Sequence, residues 1–289
     1  MTDGFGRRLL LRVLLTILLT FTVLGTLISG YAGYLLSSPQ ICITQIEKQK
    51  VAEKVYDSVE SYFTAQYQTT AIPPETYLNV VTEDWIADRL EEQVTAEYEI
   101  LNGSKLVYEL DMTDLEAALT QFFSDYAEEI NYPKDAVYEE KLQETIEKAR
   151  AELTSQLDVY HFTTMQNANI LQKFTGKQTY LWLLCGGCGI LSVLLLVILV
   201  LLERKGEWGK FYFPGCALLI NGVFLTVPTA WVLVTSYFSG LAIKVPAVYA
   251  AFTGLLYDCT RVGLIAGIVL LVLGLAAVLG STIAKRRTC

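Results

Sequence analysis

The chain of 289 residues is 53% hydrophobic and 11% aromatic but only 18% charged, against about 25% in an average soluble domain. That deficit argues against an ordinary cytosolic enzyme, and the lack of a basic stripe able to neutralise phosphates argues against a nucleic-acid partner. The net charge of −8 averages two unlike parts: Pro39 to Gln178 has 26 acidic and 11 basic residues, a net of −15, while the remainder has 4 acidic and 11 basic, a net of +7.

A short N-terminal segment, 1–8, precedes the first apolar run, Leu9 to Leu36, which exceeds the roughly 20 helical residues needed to cross a hydrocarbon core of ~30 Å. Arg7 and Arg8 before a leucine-rich stretch also suit a signal peptide, but the run is far longer than the 7 to 15 residues typical of a signal's apolar region. An uncleaved anchor is the better reading. Gly25, Ser29 and Gly33 recur every four residues along one face, a pattern that permits close helix packing within a bundle or between copies of the chain.

Residues 37–179 are one domain's worth of chain, and their apolar residues recur with helical period. A stripe of Ile43, Ile46, Val51, Val55, Val59, Tyr62 and Phe63 predicts a helix continuing from the first span until Ile72-Pro73-Pro74 breaks it. Thr82-Glu83-Asp84 supplies a capping hydroxyl and acidic first turn for a second helix carrying Ile86, Leu90 and Val94, which Asn102-Gly103 ends. Leu106 to Leu110 is the one credible extended segment. Thr113 to Glu116 matches a capping box, ahead of a third helix with Leu115, Leu119, Phe122, Tyr126 and Ile130 on one face. After Tyr132-Pro133 the longest helix carries Val137, Leu142, Ile146, Ala149, Leu153 and Leu157, and its pattern allows continuation through Gln172 towards Gly176 and the next span.

The second span is Tyr180 to Leu202, followed by a short loop, 203–210. The third, Phe211 to Leu241, contains Pro214 and Pro228 and is expected to bend; Asn221 is the one strongly polar side chain well inside any span. A loop, 242–261, leads to the fourth span, Val262 to Ile283, where Gly263 and Gly267 form another small-residue face, and 284–289 is the tail. Nine basic residues (Arg7, Arg8, Arg12, Arg204, Lys205, Lys210, Lys285, Arg286 and Arg287) flank one side of these spans, against Lys173, Lys177, Lys244 and Arg261 on the other. The positive-inside rule then places both termini in the cytoplasm and the acidic insert outside, in a multi-pass protein of the cytoplasmic membrane.

The segments Ile72-Pro73-Pro74-Glu75, Thr82 to Ile86, Asn102-Gly103 and Leu110-Asp111-Met112 leading to Leu115 carry a family resemblance. With the four-span layout, they resemble a pattern in uncharacterised bacterial integral membrane proteins that have an extracytoplasmic domain between the first and second transmembrane helices. The resemblance implies a bacterial cell-envelope setting; it brings no established activity and no functional residue. Claudin-like proteins fit less well, because their enlarged first outer loop holds a Trp and two Cys where this one has Cys42 alone.

Candidate chemistry is sparse. His161 is the single histidine, with no ligand spacing around it for zinc, and no Gly-x-Ser-x-Gly elbow accompanies it. Cys185-Gly186-Gly187-Cys188 has the spacing of a redox or metal pair, but within an apolar span small residues for close packing explain it better. Cys42 and Cys259 both fall near the outer membrane face, so a disulfide between them is geometrically conceivable, with two thiols as the alternative. The acidic pairs Glu91-Glu92, Glu128-Glu129 and Glu139-Glu140 read as solvated helix faces. No ionisable residue lies near a span's midplane, which disfavours a carrier acting alone.

The expected protein is therefore all-α, four transmembrane helices with a mainly helical extracytoplasmic domain inserted after the first. No catalytic, metal or cofactor-binding residue is assigned and no cofactor is expected. The expected role is non-enzymatic: the outer domain binds a protein or wall partner, and the bundle in the lipid bilayer anchors or transmits that binding. The alternative is a subunit of a transport or permease complex, with Asn221 as its relevant residue.

Overall fold

In a computed structural model the chain is all-helical among the described residues, with no strand. Residues 3–104, 108–202 and 210–288 are described, with side chains for all of these except 3–8, 167, 171 and 284–288. The α-helices run α1 Asp3–Ser37, α2 Gln40–Lys48, α3 Val51–Thr70, α4 Pro74–Leu78, α5 Glu83–Leu101, α6 Thr113–Glu129, α7 Ala136–Leu157, α8 Phe162–Asn167, α9 Ile170–Phe174, α10 Lys177–Leu202, α11 Tyr212–Val234 and α12 Pro246–Thr288, with a 3₁₀ turn at Tyr237–Gly240. They form two compact units: one of 1–37, 176–240 and 256–289, the other of 38–175 and 241–255.

The first unit holds four helices long and apolar enough to cross a membrane, within Leu9–Ser37, Gln172–Leu202, Tyr212–Val234 and Pro246–Ile283. By length and composition the chain is a multi-pass membrane protein. Phe21, Ile190, Phe224 and Ile265 are each more than 60% exposed, which suits hydrocarbon surroundings rather than water. Helix α1 packs chiefly along α10 and then α11, around a small core of Leu19, Leu195, Leu199 and Ala217. Helix α11 meets α12 at very close range: a Cβ added at Gly222 would lie 2.8 Å from the Leu271 backbone nitrogen. Of the two prolines expected to bend this span, Pro214 occupies the first turn, where no donor is missed, and Pro228 alone is interior.

The second unit is a bundle of shorter helices around Val55, Val59, Ile86, Leu90, Leu115, Leu119 and Leu153, all at most 2% exposed. Its helices obey local rules. The Thr82 hydroxyl accepts a bond from the Trp85 amide at 3.2 Å and caps α5. That helix ends in a Schellman turn, with Ser104 N bonded to Glu99 O, Gly103 N bonded to Ile100 O, and Gly103 in the left-handed region at φ +101°. Asp135 caps α7 through bonds from the Val137 and Tyr138 amides.

Several sequence expectations are corrected. The helix expected to run on from the first span is cut at Pro39 and again at Lys50, which adopts φ +51°, so the Ile43 to Phe63 stripe divides between α2 and α3. Both pieces still bury their apolar face, because each restart keeps the stripe towards the same core. The capping box at Thr113 does not form as expected: Thr113 is the first helical residue, and its amide and hydroxyl both donate to the Asp111 carboxylate, at 3.0 and 2.7 Å. Helix α7 stops at Leu157 rather than reaching Gln172, and left-handed residues His161, Asn169 and Gly176 separate the short helices that follow. The fourth long helix begins at Pro246, well before Val262; its first turns, with Ala247, Ala250 and Ala251 buried, belong to the second unit. The expected extended segment Leu106 to Leu110 lies partly outside the described residues, and Tyr108 to Leu110 is irregular. Arg204 and Lys205 are also outside them, as are the side chains of Arg7, Arg8, Lys285, Arg286 and Arg287.

Candidate functional site

A concave surface lies in the second unit, where α3 and α4 face α6 and α7. Every fourth residue or so of α7 is buried (Leu142, Ile146, Ala149, Leu153), which turns the neighbouring positions Lys141, Thr145 and Lys148 onto the edge of that seam. A cavity of about 410 Å³ opens there, within the range of small-ligand sites. Its floor is apolar: the Phe63 and Tyr77 rings stack 3.9 Å apart with an interplanar angle of 9°, and Ile72 and Phe123 lie beside them. Its rim is polar, with Gln66, Thr69 and Thr145. Glu144 bonds both Lys141 and Lys148 at 2.8 Å, and these two ammonium groups pull its carboxyl down to about 2. Two lysines against one carboxylate leave the rim positive in a stretch of chain whose net charge is −15.

A second cavity of about 190 Å³ adjoins the first and shares Phe123 and Lys141 with it. Tyr126, Ile130, Tyr132 and Val137 line it at the turn between α6 and α7, and each is 43 to 52% exposed. Tyr126 and Ile130 were expected on the buried face of their helix. Ala127 is buried there instead, while the two larger side chains stay outside.

The same unit also buries a carboxyl group. Glu97 is 2% exposed, and its Oε2 has no hydrogen-bond partner. Burial first, and the Asp158 carboxylate second, push its carboxyl above the ordinary range. Asp158 is itself satisfied, accepting bonds from the Thr163 and Thr164 amides and the Thr164 hydroxyl.

The residues singled out from sequence are distributed over both units. Cys42, in the second, is buried with Sγ 3.6 Å from the Tyr98 hydroxyl, and Cys259 belongs to the first; both are thiols in the structure. Gly25 and Gly33 lie against α10, where an added Cβ would stand 3.3 Å from Cys188 Sγ and from the Trp182 ring. Ser29 is buried between them and donates to the Gly25 carbonyl at 2.6 Å. Gly263 and Gly267 meet Thr229 and Thr226 of α11, at 3.1 and 2.5 Å from an added Cβ. Cys185 and Cys188 pack on Gly30 and Gly25, while Gly186 and Gly187 of the same motif face open space. The close approach in this motif therefore comes from the glycines of α1. Asn221 is completely buried, and neither atom of its amide head has a hydrogen-bond partner. His161 is exposed, with its ring 6.5 Å from that of Phe252. Among the described residues no group of three His, Cys, Asp or Glu could hold a metal ion.

The grooves were missed because their residues come from four helices that only packing brings together. Glu97 did leave a signal: with Leu90, Val94 and Leu101 it keeps a four, three, four spacing, so a carboxylate stands on the apolar stripe of α5. Comparison of the chain with protein-family models, with curated proteins and with solved structures gives no match.

Proposed function

We propose that this is a non-enzymatic protein of the bacterial cell envelope, in which the acidic helical unit lies outside the cytoplasmic membrane and binds a protein or wall partner. The four-span unit anchors that binding in the bilayer or transmits it, with both chain termini in the cytoplasm. The observation that carries the reading is the run of exposed Tyr126, Ile130, Tyr132 and Val137 at the α6–α7 turn. Large apolar side chains gathered on the surface of a water-facing domain are covered when a partner docks. The positive-inside bias supports the orientation, and the four-span layout supports kinship with uncharacterised bacterial proteins of the same plan.

A second reading, subunit of a transport or permease complex, is favoured by Asn221, since an unpartnered amide in an apolar span is costly. Photo-crosslinking from intact membranes separates the two. A benzophenone side chain at Tyr126 is expected to capture one specific partner, retained when Asn221→Leu is added. Capture of transport components from Ile190 or Val193 alone, abolished by Asn221→Leu, would instead establish the transport reading.

A further inference from the structure

We infer that the paired cavities of the second unit form one groove for a short extended peptide segment, apolar at one end and acidic at the other. This rests on the binding role proposed above and names the chemistry of its ligand. The two cavities share Phe123 and Lys141, and together they follow α7 from Val137 to Lys148. At 1.5 Å per helical residue that is about 16 Å, the length of about five residues of extended chain at ~3.3 Å each.

The lining sets the polarity of the ligand. The smaller compartment, walled by Tyr126, Ile130 and Val137, accepts an apolar side chain. The larger has an aromatic floor, and at its far end stands Lys148, 70% exposed. Lys148 and Lys141 share the single carboxylate of Glu144, which leaves one positive charge available to a ligand carboxylate. Lys141, Lys148 and Glu144 are the charged residues that line the larger compartment, so its excess is positive and suits a ligand carboxylate. Gln66, Thr69 and Thr145 offer donors and acceptors for a peptide backbone between the two ends. A lipid tail leaves the polar rim of the larger compartment unmet.

The test uses the full chain in detergent micelles and three fluorescein-labelled five-residue peptides: Phe-Ser-Leu-Ser-Asp, the same peptide ending in Lys, and penta-serine. Anisotropy is expected to show the acidic peptide binding at least tenfold more tightly than the other two. Thr145→Trp, which fills the larger compartment, and Lys148→Glu, which reverses its charge, are each expected to lower that affinity at least tenfold while the melting temperature stays that of the parent. Equal binding of the three peptides, or affinity unchanged in both variants, overturns the inference. So does a chito-oligosaccharide that binds the groove and displaces the peptide, which would assign a glycan instead. If the partner captured at Tyr126 is still captured by Thr145→Trp, the binding role stands and only the peptide groove falls.

Discussion

Glu97 is the residue whose placement contradicts its chemistry. A carboxylate stripped of water and left with an unpartnered oxygen is held only because the surrounding core is strong enough to carry it. Its raised folded-state value means that its contribution to stability is fully present below the ordinary carboxylate range, and is lost as pH rises through the folded value. Melting of the purified protein is therefore expected at a lower temperature at pH 8 than at pH 5. Glu97→Gln, which keeps the shape and removes the charge, is expected to raise the pH 8 value and shrink the difference; an unchanged difference would assign the effect to other groups. Leu119 is a simpler case at the same scale. It is fully buried at the centre of the second unit, so Leu119→Ala is expected to cost about 2–5 kcal/mol in chemical denaturation, from lost transfer energy and the cavity left behind.

Among elements, the contacts of α11 with α12 and of α1 with α10 show how apolar helices associate where hydrophobic burial supplies no driving force. Close approach over small residues replaces it. Gly222 sits where an added Cβ would meet the Leu271 backbone, so Gly222→Ala must part the helices and is expected to destabilise by about 1–3 kcal/mol. Gly186 faces open space, and Gly186→Ala is expected to be neutral or slightly stabilising; thermal denaturation in micelles reads both. In the second unit the caps do comparable work, and Thr82→Ala is expected to cost about 1 kcal/mol through the lost bond to the Trp85 amide. The short helices of that unit were only partly legible. Thr82 and Asn102-Gly103 mark ends by local chemistry that the sequence carries, whereas the cap at Asp135 shows only in the structure. Lys50 marks one by a left-handed conformation that its residue type does not announce, so the first stripe reads as longer than the helix is, and α7 stops at Leu157 with no glycine or proline at its end.

For the whole molecule, the uneven charge is the property that organises the rest. The acidic excess of 39–178 and the basic excess elsewhere match a chain whose parts face different surroundings. The proposed orientation predicts the labelling of single cysteines by a membrane-impermeant maleimide in otherwise cysteine-free protein. Glu129→Cys, at the α6–α7 turn, is expected to react in intact cells, and Lys210→Cys only after permeabilisation. The reverse pattern would invert the topology.

By itself the sequence determined the helical class, the four spans, the charge partition and the small-residue faces of α1 and α12. All of these follow from period, length and composition, which are properties of contiguous chain. Tertiary structure alone decided that residues 241–255, at the start of the fourth long helix, join the acidic unit, because only packing shows that Gly254 admits Gln45 and Gln49 at a distance no side chain would allow. It also decided that Tyr126 and Ile130 stay outside while Ala127 goes in, and that Phe63, Tyr77, Phe123 and Lys148 share one groove. Those outcomes depend on which residue of a distant helix lies opposite, and periodicity carries no information about that.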